Sequence, residues 1–253
     1  MSLRSPQLHP AADSLQRSRI ELAAAYRIAA REGMGDGVFT HFSLSIPGTA
    51  DRFLLKPHGL LFSEVTASNL IVVDLAGKLV EGTGMWEPTA FYIHSCIHKA
   101  VPGAACVLHT HMPYATALSN LSDSRLLPIN QSCVRFWGRI AYYNEYNGLA
   151  LDPAEGDRIV AALASHDVLM MANHGVTVVG PSVADALFKL YYLEIACRDQ
   201  WLTLAMNKPL RPIPDAVAQD LFDQFEQERH ESCELHLAAM MRQLDHDEPN
   251  YKM

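Results

Sequence analysis

The sequence predicts an α/β domain whose sheet is mixed or antiparallel and covered by helices. Two features lead there. Residues 40–82 hold short strand-like runs separated by turn residues, whereas residues 104–206 alternate strand-like runs with helices long enough to act as crossovers. Connections of both kinds in one chain fit poorly with a doubly wound parallel sheet. With 253 residues, 49% of them hydrophobic, the chain can bury a sizeable core.

In order, residues 13–33 read as a helix with Asp13 or Ser14 as N-cap, apolar residues at helical spacing and Gly33 as the stop. Strands follow in "THFSLSIPG", "DRFLLKPHG" and "NLIVVDLAGKLVEG", the last a hairpin with Gly77 in its turn. Pro88 opens a helix that runs to Pro102-Gly103. "AACVLHTHM" is a strand, "PYATALSN" a short helix, "RIAYY" a strand and residues 152–166 a helix. Two strands, "DVLMMAN" and "GVTVVG", flank His174 and lead into a long helix over residues 182–206. A proline-rich connection precedes a final helix, which either packs on its own domain or reaches a neighbour. The reading is one domain over residues 1–212 with a helical extension of it over residues 213–253.

Twenty basic against 28 acidic residues give a net charge of −8, which argues against nucleic acid as a main partner because phosphate binding needs a positive surface. The first 30 residues lack a continuous apolar leader, and no apolar run approaches the ~20 residues of a membrane span. A cytoplasmic protein without a membrane partner is expected. Five scattered cysteines, none in CxxC spacing, read as buried free thiols rather than a disulfide framework or thiolate metal site.

The chemistry concentrates in histidine. His109 and His111 lie at i and i+2 of a strand, so both imidazoles project to one face and reach a common point. His174 precedes Gly175, where the backbone can come close, and offers a third imidazole. Three histidines with an open fourth position, binding at roughly 2.0–2.1 Å, are the usual form of a catalytic metal site. His94 and His98 share a helix face, but without an HExxH glutamate they read as packing or capping groups. Gln131 and Arg135 reach either a substrate carboxylate, Arg135 through a bidentate fork, or a subunit-interface partner. Phe136 and Trp137 read as core or interface. Tyr142, Tyr143 and Tyr146 read as packing groups that include a candidate proton donor.

The blocks "THFSLSIPG", "PHGLLFSEVTASNLIVVDLAG", "EPTAFYIHSCIHKAVPGAACVLHTH", "ANHGVTVVG" and "MMRQLDHDEPNYKM" resemble the class II aldolase and adducin head-domain family over nearly the whole chain. The resemblance implies a three-layer α/β/α domain with a mixed, largely antiparallel central sheet, a homo-oligomer, foremost a tetramer with sites between subunits, and His109, His111 and His174 as ligands of one divalent metal per subunit. Zinc is expected first, with iron, manganese, cobalt or nickel as alternatives.

Departures from the family pattern narrow the chemistry. The glutamate of the aldolase "PSSE" block, metal neighbour and base, falls on Ala90, and its serines on Pro88 and Thr89. The asparagine and "SG" positions of the phosphate pocket fall on His41 and His58-Gly59, and the aldolase tyrosine falls near Asn130-Gln131. His41 and His58 are thus either substrate contacts or simply solvent-facing polar groups, with Gly59 and Thr89 in the same pocket. Glu87 either swings in as a displaced base or is an ordinary first-turn glutamate favoured by the helix dipole.

Three neutral imidazoles leave a dipositive ion uncompensated, which favours an anionic, chelating carboxylate substrate. The expected function is a divalent-metal-dependent lyase cleaving a carbon–carbon bond, by decarboxylation or retro-aldol chemistry, in a small nonphosphorylated hydroxy- or oxo-acid. Relatives lacking the glutamate resemble decarboxylases of aromatic or pyridine carboxylic acids and iron-dependent oxygenases of aryl pyruvates. A non-heme iron oxygenase of an aryl 2-oxo acid and a catalytically inactive adducin-like assembly module are the alternatives.

Overall fold

The structure, a computed structural model, describes residues 10–253; the first nine residues, part of the stretch read for a leader, lie outside them. The elements are α1 (Pro10–Arg31), β1 (His41–Ser45), β2 (Arg52–Leu55), β3 (Ile71–Asp74), β4 (Leu79–Glu81), α2 (Pro88–Ala100), β5 (Cys106–Thr110) and α3 (Pro113–Ser119). They continue with α4 (Gln131–Val134), β6 (Ile140–Tyr143), α5 (Pro153–Leu163), β7 (Val168–Met171), β8 (Gly175–Gly180), α6 (Val183–Ala205) and α7 (Asp215–Asp247).

The strands form one eight-stranded sheet in the order β4-β3-β2-β1-β5-β8-β7-β6. Neighbours pair antiparallel except β6 and β7, whose parallel pairing follows from α5 crossing over between them. Strand alternation divides the side chains between two helical layers. Phe42 and Leu44 of β1, Leu108 of β5 and Val178 of β8 face a cluster built with Tyr26 of α1, Leu187 of α6 and Leu237 of α7. Val107 and Val179, one residue out of phase, face Ile93 and Ile97 of α2 and Ile159 of α5. The result is a three-layer α/β/α fold with a mixed, largely antiparallel sheet, as the resemblance implied.

Tyr26 fixes the α1 layer to the sheet. Its ring is fully buried against Phe42 and Phe62, and its hydroxyl both donates to the Phe42 carbonyl at 2.5 Å and accepts from the Phe42 amide at 2.8 Å. Burial in that apolar setting pushes the phenol far above its ordinary range.

Three details of the sequence reading change. α1 begins at Pro10, so Asp13 lies in the first turn and neither it nor Ser14 is the N-cap; proline is at home there because the first turn's amides have no helical acceptor. The short helix α4, capped by Asn130 through the Cys133 amide, was not foreseen because only one turn of it exists. The final helix packs on its own domain: Cys233, Leu237 and Leu244 enter the main cluster, and the Ala67 amide donates to Tyr251 O at 2.8 Å. Gly33 ends α1 at φ +69°, and Gly77 turns the β3–β4 hairpin at φ +86°, both left-handed conformations that favour glycine. The five cysteines are free. Among the described residues no helix is long and apolar enough to cross a membrane.

Candidate metal centre

β5 and β8 are neighbours in register, His109 opposite Thr177 and Thr110 opposite Val176. His109 therefore sits near the end of β5 and His111 just past it, while His174 stands in the turn from β7 into β8. That turn uses a left-handed Asn173 at φ +56° and a glycine without alternative: a Cβ on Gly175 would stand 2.6 Å from Thr110 O and 2.8 Å from His111 Cδ2. Thr110, between the two histidines, points to the opposite face and donates its hydroxyl to Met34 O, tying the strand end to the loop after α1.

The imidazoles of His109, His111 and His174 converge. One nitrogen from each lies within 4.8 Å of the other two, and the ring centroids are 4.8–5.2 Å apart. Tetrahedral zinc, with bonds of roughly 2.0–2.1 Å, separates its donors by about 3.4 Å, so a small inward contraction of these rings completes the triangle. The outer nitrogens of two of them are already engaged. His111 Nδ1 donates to Asp36 Oδ2 at 2.9 Å, and His109 Nδ1 donates to Thr177 Oγ1 at 3.2 Å. His111 Nε2 is buried without a hydrogen-bond partner, an orphaned donor atom that a metal ion would satisfy. Burial, and then the neighbouring imidazoles, push His109 well below the ordinary histidine range, and burial with His111 lowers His174 to about 4. All of this keeps the lone pairs that a divalent ion requires.

Among the described residues no carboxylate belongs to this group. Ala90, where the aldolase glutamate falls, is buried among Phe53, Leu55, Ile71, Val73 and Phe91. Glu87 is neither swung toward the histidines nor in the first turn. It is the N-cap of α2, accepting from the Ala90 amide at 2.7 Å and from the Thr89 hydroxyl, so two expected site residues hold each other. His41 is brought to the centre: β1 pairs with β5 so that His41 faces His109, and the rings stack 4.9 Å apart. His94 and His98 turn from α2 onto β1 and hydrogen-bond with His41, Ser43 and Ser45, and His98 also meets the Ala104 carbonyl just past the helix.

His58 and Gly59 are exposed on the loop after β2, with the His58 amide on Met85 O. Gln131 is exposed on α4, and Arg135 lays its guanidinium 4.0 Å from the Phe225 ring centroid and 4.5 Å from that of Tyr192; among the described residues no hydrogen bond joins either to the histidines. Phe136 is in the core, and Trp137 donates to Gln219. Tyr142 accepts from the Leu126 amide, Tyr143 is hydrogen-bonded to Glu155 and Asn147, and Tyr146 is exposed.

Four polar residues of this region escaped the sequence reading: Asp36, Ser43, Thr177 and Lys56. Lys56 is buried after β2, donates to Val38 O at 2.8 Å and is lowered to about 8 by burial, opposed by the Glu87 and Glu64 carboxylates. A lysine directly after an apolar strand run, in "FLLKPHG", was the available signal.

The model of the class II aldolase and adducin N-terminal domain matches residues 20–201. A solved aldolase II superfamily protein from Pseudomonas syringae is 36% identical, with a TM-score of 0.89 and 98% of each chain covered. L-fuculose 1-phosphate aldolase from Glaciozyma antarctica PI12 is 26% identical, with a TM-score of 0.85 over 99% of this chain and 97% of that one. Alpha-adducin of Rattus norvegicus is 37% identical over 191 residues, 74% of this chain but only 26% of adducin.

Proposed function

The chain belongs to the class II aldolase and adducin family, and from that premise we propose that it is a divalent-metal-dependent lyase cleaving a carbon–carbon bond in a small nonphosphorylated hydroxy- or oxo-acid. The observation that carries the reading is the convergence of the three imidazoles with the buried, partnerless His111 Nε2 among them. An ion held by His109, His111 and His174 would supply Lewis-acid stabilisation of the negative charge that develops when the bond breaks.

The protein's own groups account for the rest. Asp36 and Thr177 hold the outer nitrogens of two ligands, so the lone pairs stay aimed inward. With no carboxylate in the group, the charge of the ion is left for an anionic substrate to neutralise, which selects a carboxylate. The apolar burial of Ala90 and the capping role of Glu87 leave no carboxylate base at the place where sugar-phosphate aldolases carry one. That favours decarboxylation, in which carbon dioxide leaves without a hydroxyl proton being taken. His58 and Gly59, exposed and at the family's phosphate-pocket positions, are proposed as substrate contacts. A homotetramer is the proposed assembly.

The likeness to adducin favours one rival, an assembly module without catalysis. A screen of 2-oxo and hydroxy acids against metal-loaded protein, made without oxygen, separates the two. The lyase releases carbon dioxide or an aldehyde; a protein that binds metal yet releases neither from any acid contradicts the proposal. Turnover only with dioxygen present, accompanied by its uptake, would replace lyase with oxygenase.

A further inference from the structure

His41 carries a chain of hydrogen bonds away from the candidate metal centre. Its Nδ1 lies 2.7 Å from His94 Nε2, His94 Nδ1 meets Ser43 Oγ, and Ser43 Oγ lies 2.7 Å from His98 Nε2. The chain ends where His98 Nδ1 lies 3.0 Å from both Ser45 Oγ and the Ala104 carbonyl. Local geometry explains the arrangement. His41, Ser43 and Ser45 alternate onto one face of β1, and His94 and His98 stand at i and i+4 on the side of α2 that covers it.

The last link sets the direction of all the others. A backbone carbonyl only accepts, so His98 Nδ1 carries a proton toward Ala104 O. A neutral His98 then has a bare Nε2, to which the Ser43 hydroxyl donates. Having given its proton there, Ser43 Oγ accepts, and His94 Nδ1 is the donor to it. His94 is left with a bare Nε2, which accepts from His41 Nδ1–H. Neutral rings are what this interior demands, because burial opposes an imidazolium on each, lowering His98 to about 4. His41 therefore ends the chain with an unprotonated Nε2. That nitrogen makes no hydrogen bond among the described residues and is not one of the fully enclosed polar atoms, while its ring lies on His109.

We propose that the Ala104 carbonyl, His98, Ser43 and His94 form a tautomer lock that presents His41 Nε2 as a hydrogen-bond acceptor beside the metal centre, where it selects substrates bearing a hydroxyl next to their metal-binding carboxylate. His98, Ser43 and His94 are positioning residues, since they act through His41. The substrate half of the inference rests on the proposed metal site, whereas the lock does not. A carboxylate at His41's place would repel an anionic substrate, and a freely flipping imidazole would present a donor as often as an acceptor; the locked ring does neither.

The lock is read directly by nitrogen-15 spectra of histidine-labelled, metal-free protein above neutral pH, with His41 assigned by the signal missing from a His41→Phe variant. Protonated Nδ1 and bare Nε2 on His41, His94 and His98 are expected; a protonated Nε2 on His41 overturns the proposal. Ser43→Ala cuts the chain and is expected to give His41 a mixture of tautomers, which Ser43→Thr restores. An unchanged His41 tautomer in folded Ser43→Ala protein would mean that the serine only packs. For the substrate half, zinc-loaded His41→Phe protein is expected to bind glycolate about 2- to 10-fold more weakly than the parent, the range of one neutral hydrogen bond, and acetate equally well. Equal effects on glycolate and acetate contradict the selection of a hydroxyl. Failure to bind zinc at all would remove the metal reading and this half with it, while the spectra decide the lock independently.

Discussion

Asp36 Oδ2 stands 2.9 Å from His111 Nδ1, on the far side of the ring from the Nε2 that is buried without a partner. The carboxylate fixes the ring's orientation and tautomer and makes the inward nitrogen a better donor to a cation. Asp36→Ala is predicted to weaken zinc affinity by about 10- to 100-fold while leaving the fold intact. Calorimetric titration of metal-free protein checks this; an unchanged affinity would mean that the exposed Asp36 is only a surface ion-pair partner.

Gly175 is predicted to tolerate no side chain. The Cβ of Gly175→Ala meets the Thr110 carbonyl, a backbone atom of the neighbouring strand that cannot yield, and the His111 ring beyond it. Chemical denaturation should show a loss of about 1–3 kcal/mol, with weaker metal binding from the displaced His111. Unaltered stability together with unaltered zinc affinity would show that the turn relaxes freely.

Tyr26→Phe keeps the ring packed and removes the hydroxyl that bridges the two backbone groups of Phe42. Leaving that buried amide and carbonyl short of partners is predicted to cost about 1–3 kcal/mol, read as a lower denaturant midpoint with an unchanged slope. A cost near zero would indicate that other groups satisfy Phe42.

Acid should weaken the fold through the histidines beneath β1. Burial holds His98 at about 4 against an ordinary 6.5, so as pH falls the unfolded chain takes up the proton first. Stability is full above about pH 6.5, falls as the pH drops toward 4 and changes no further on this group's account below it, a loss of up to about 3 kcal/mol. Urea unfolding of the parent and of His98→Gln across that window tests the assignment. The variant is predicted to lose less than the parent, and parallel curves would assign the acid sensitivity elsewhere.

The mixed sheet covered by helices was legible from local spacing, and the layered fold and the three candidate ligands from the resemblance of whole motif blocks. Two histidines at i and i+2 of a strand and a third before a glycine are a weak signal alone, and the resemblance to the family's motif blocks is what joined them into one candidate ligand set. What surrounds them was not legible. Asp36, Thr177 and Ser43 are ordinary polar residues in ordinary segments, and they acquire roles only when β1, β5 and β8 align in register. His94 and His98 were visible as a helix face, but what that face meets is decided by the packing of α2 over β1. Arg135, suited by chemistry to fork a carboxylate, meets instead the aromatic rings that α6 and α7 bring to it. Glu87 was visible as a carboxylate near the site, and its role as a cap shows only in the side-chain bond it makes to the Ala90 amide from just outside the first turn.

The proposed function stands on His109, His111 and His174 together holding a divalent ion. Its most direct test is the metal content of the protein as purified and after zinc reconstitution, measured for the parent and for His109→Ala, His111→Ala and His174→Ala in folded form. One ion per chain is expected in the parent, and its loss in each variant. A parent without metal after reconstitution, or variants that retain the parent's metal content, would contradict it.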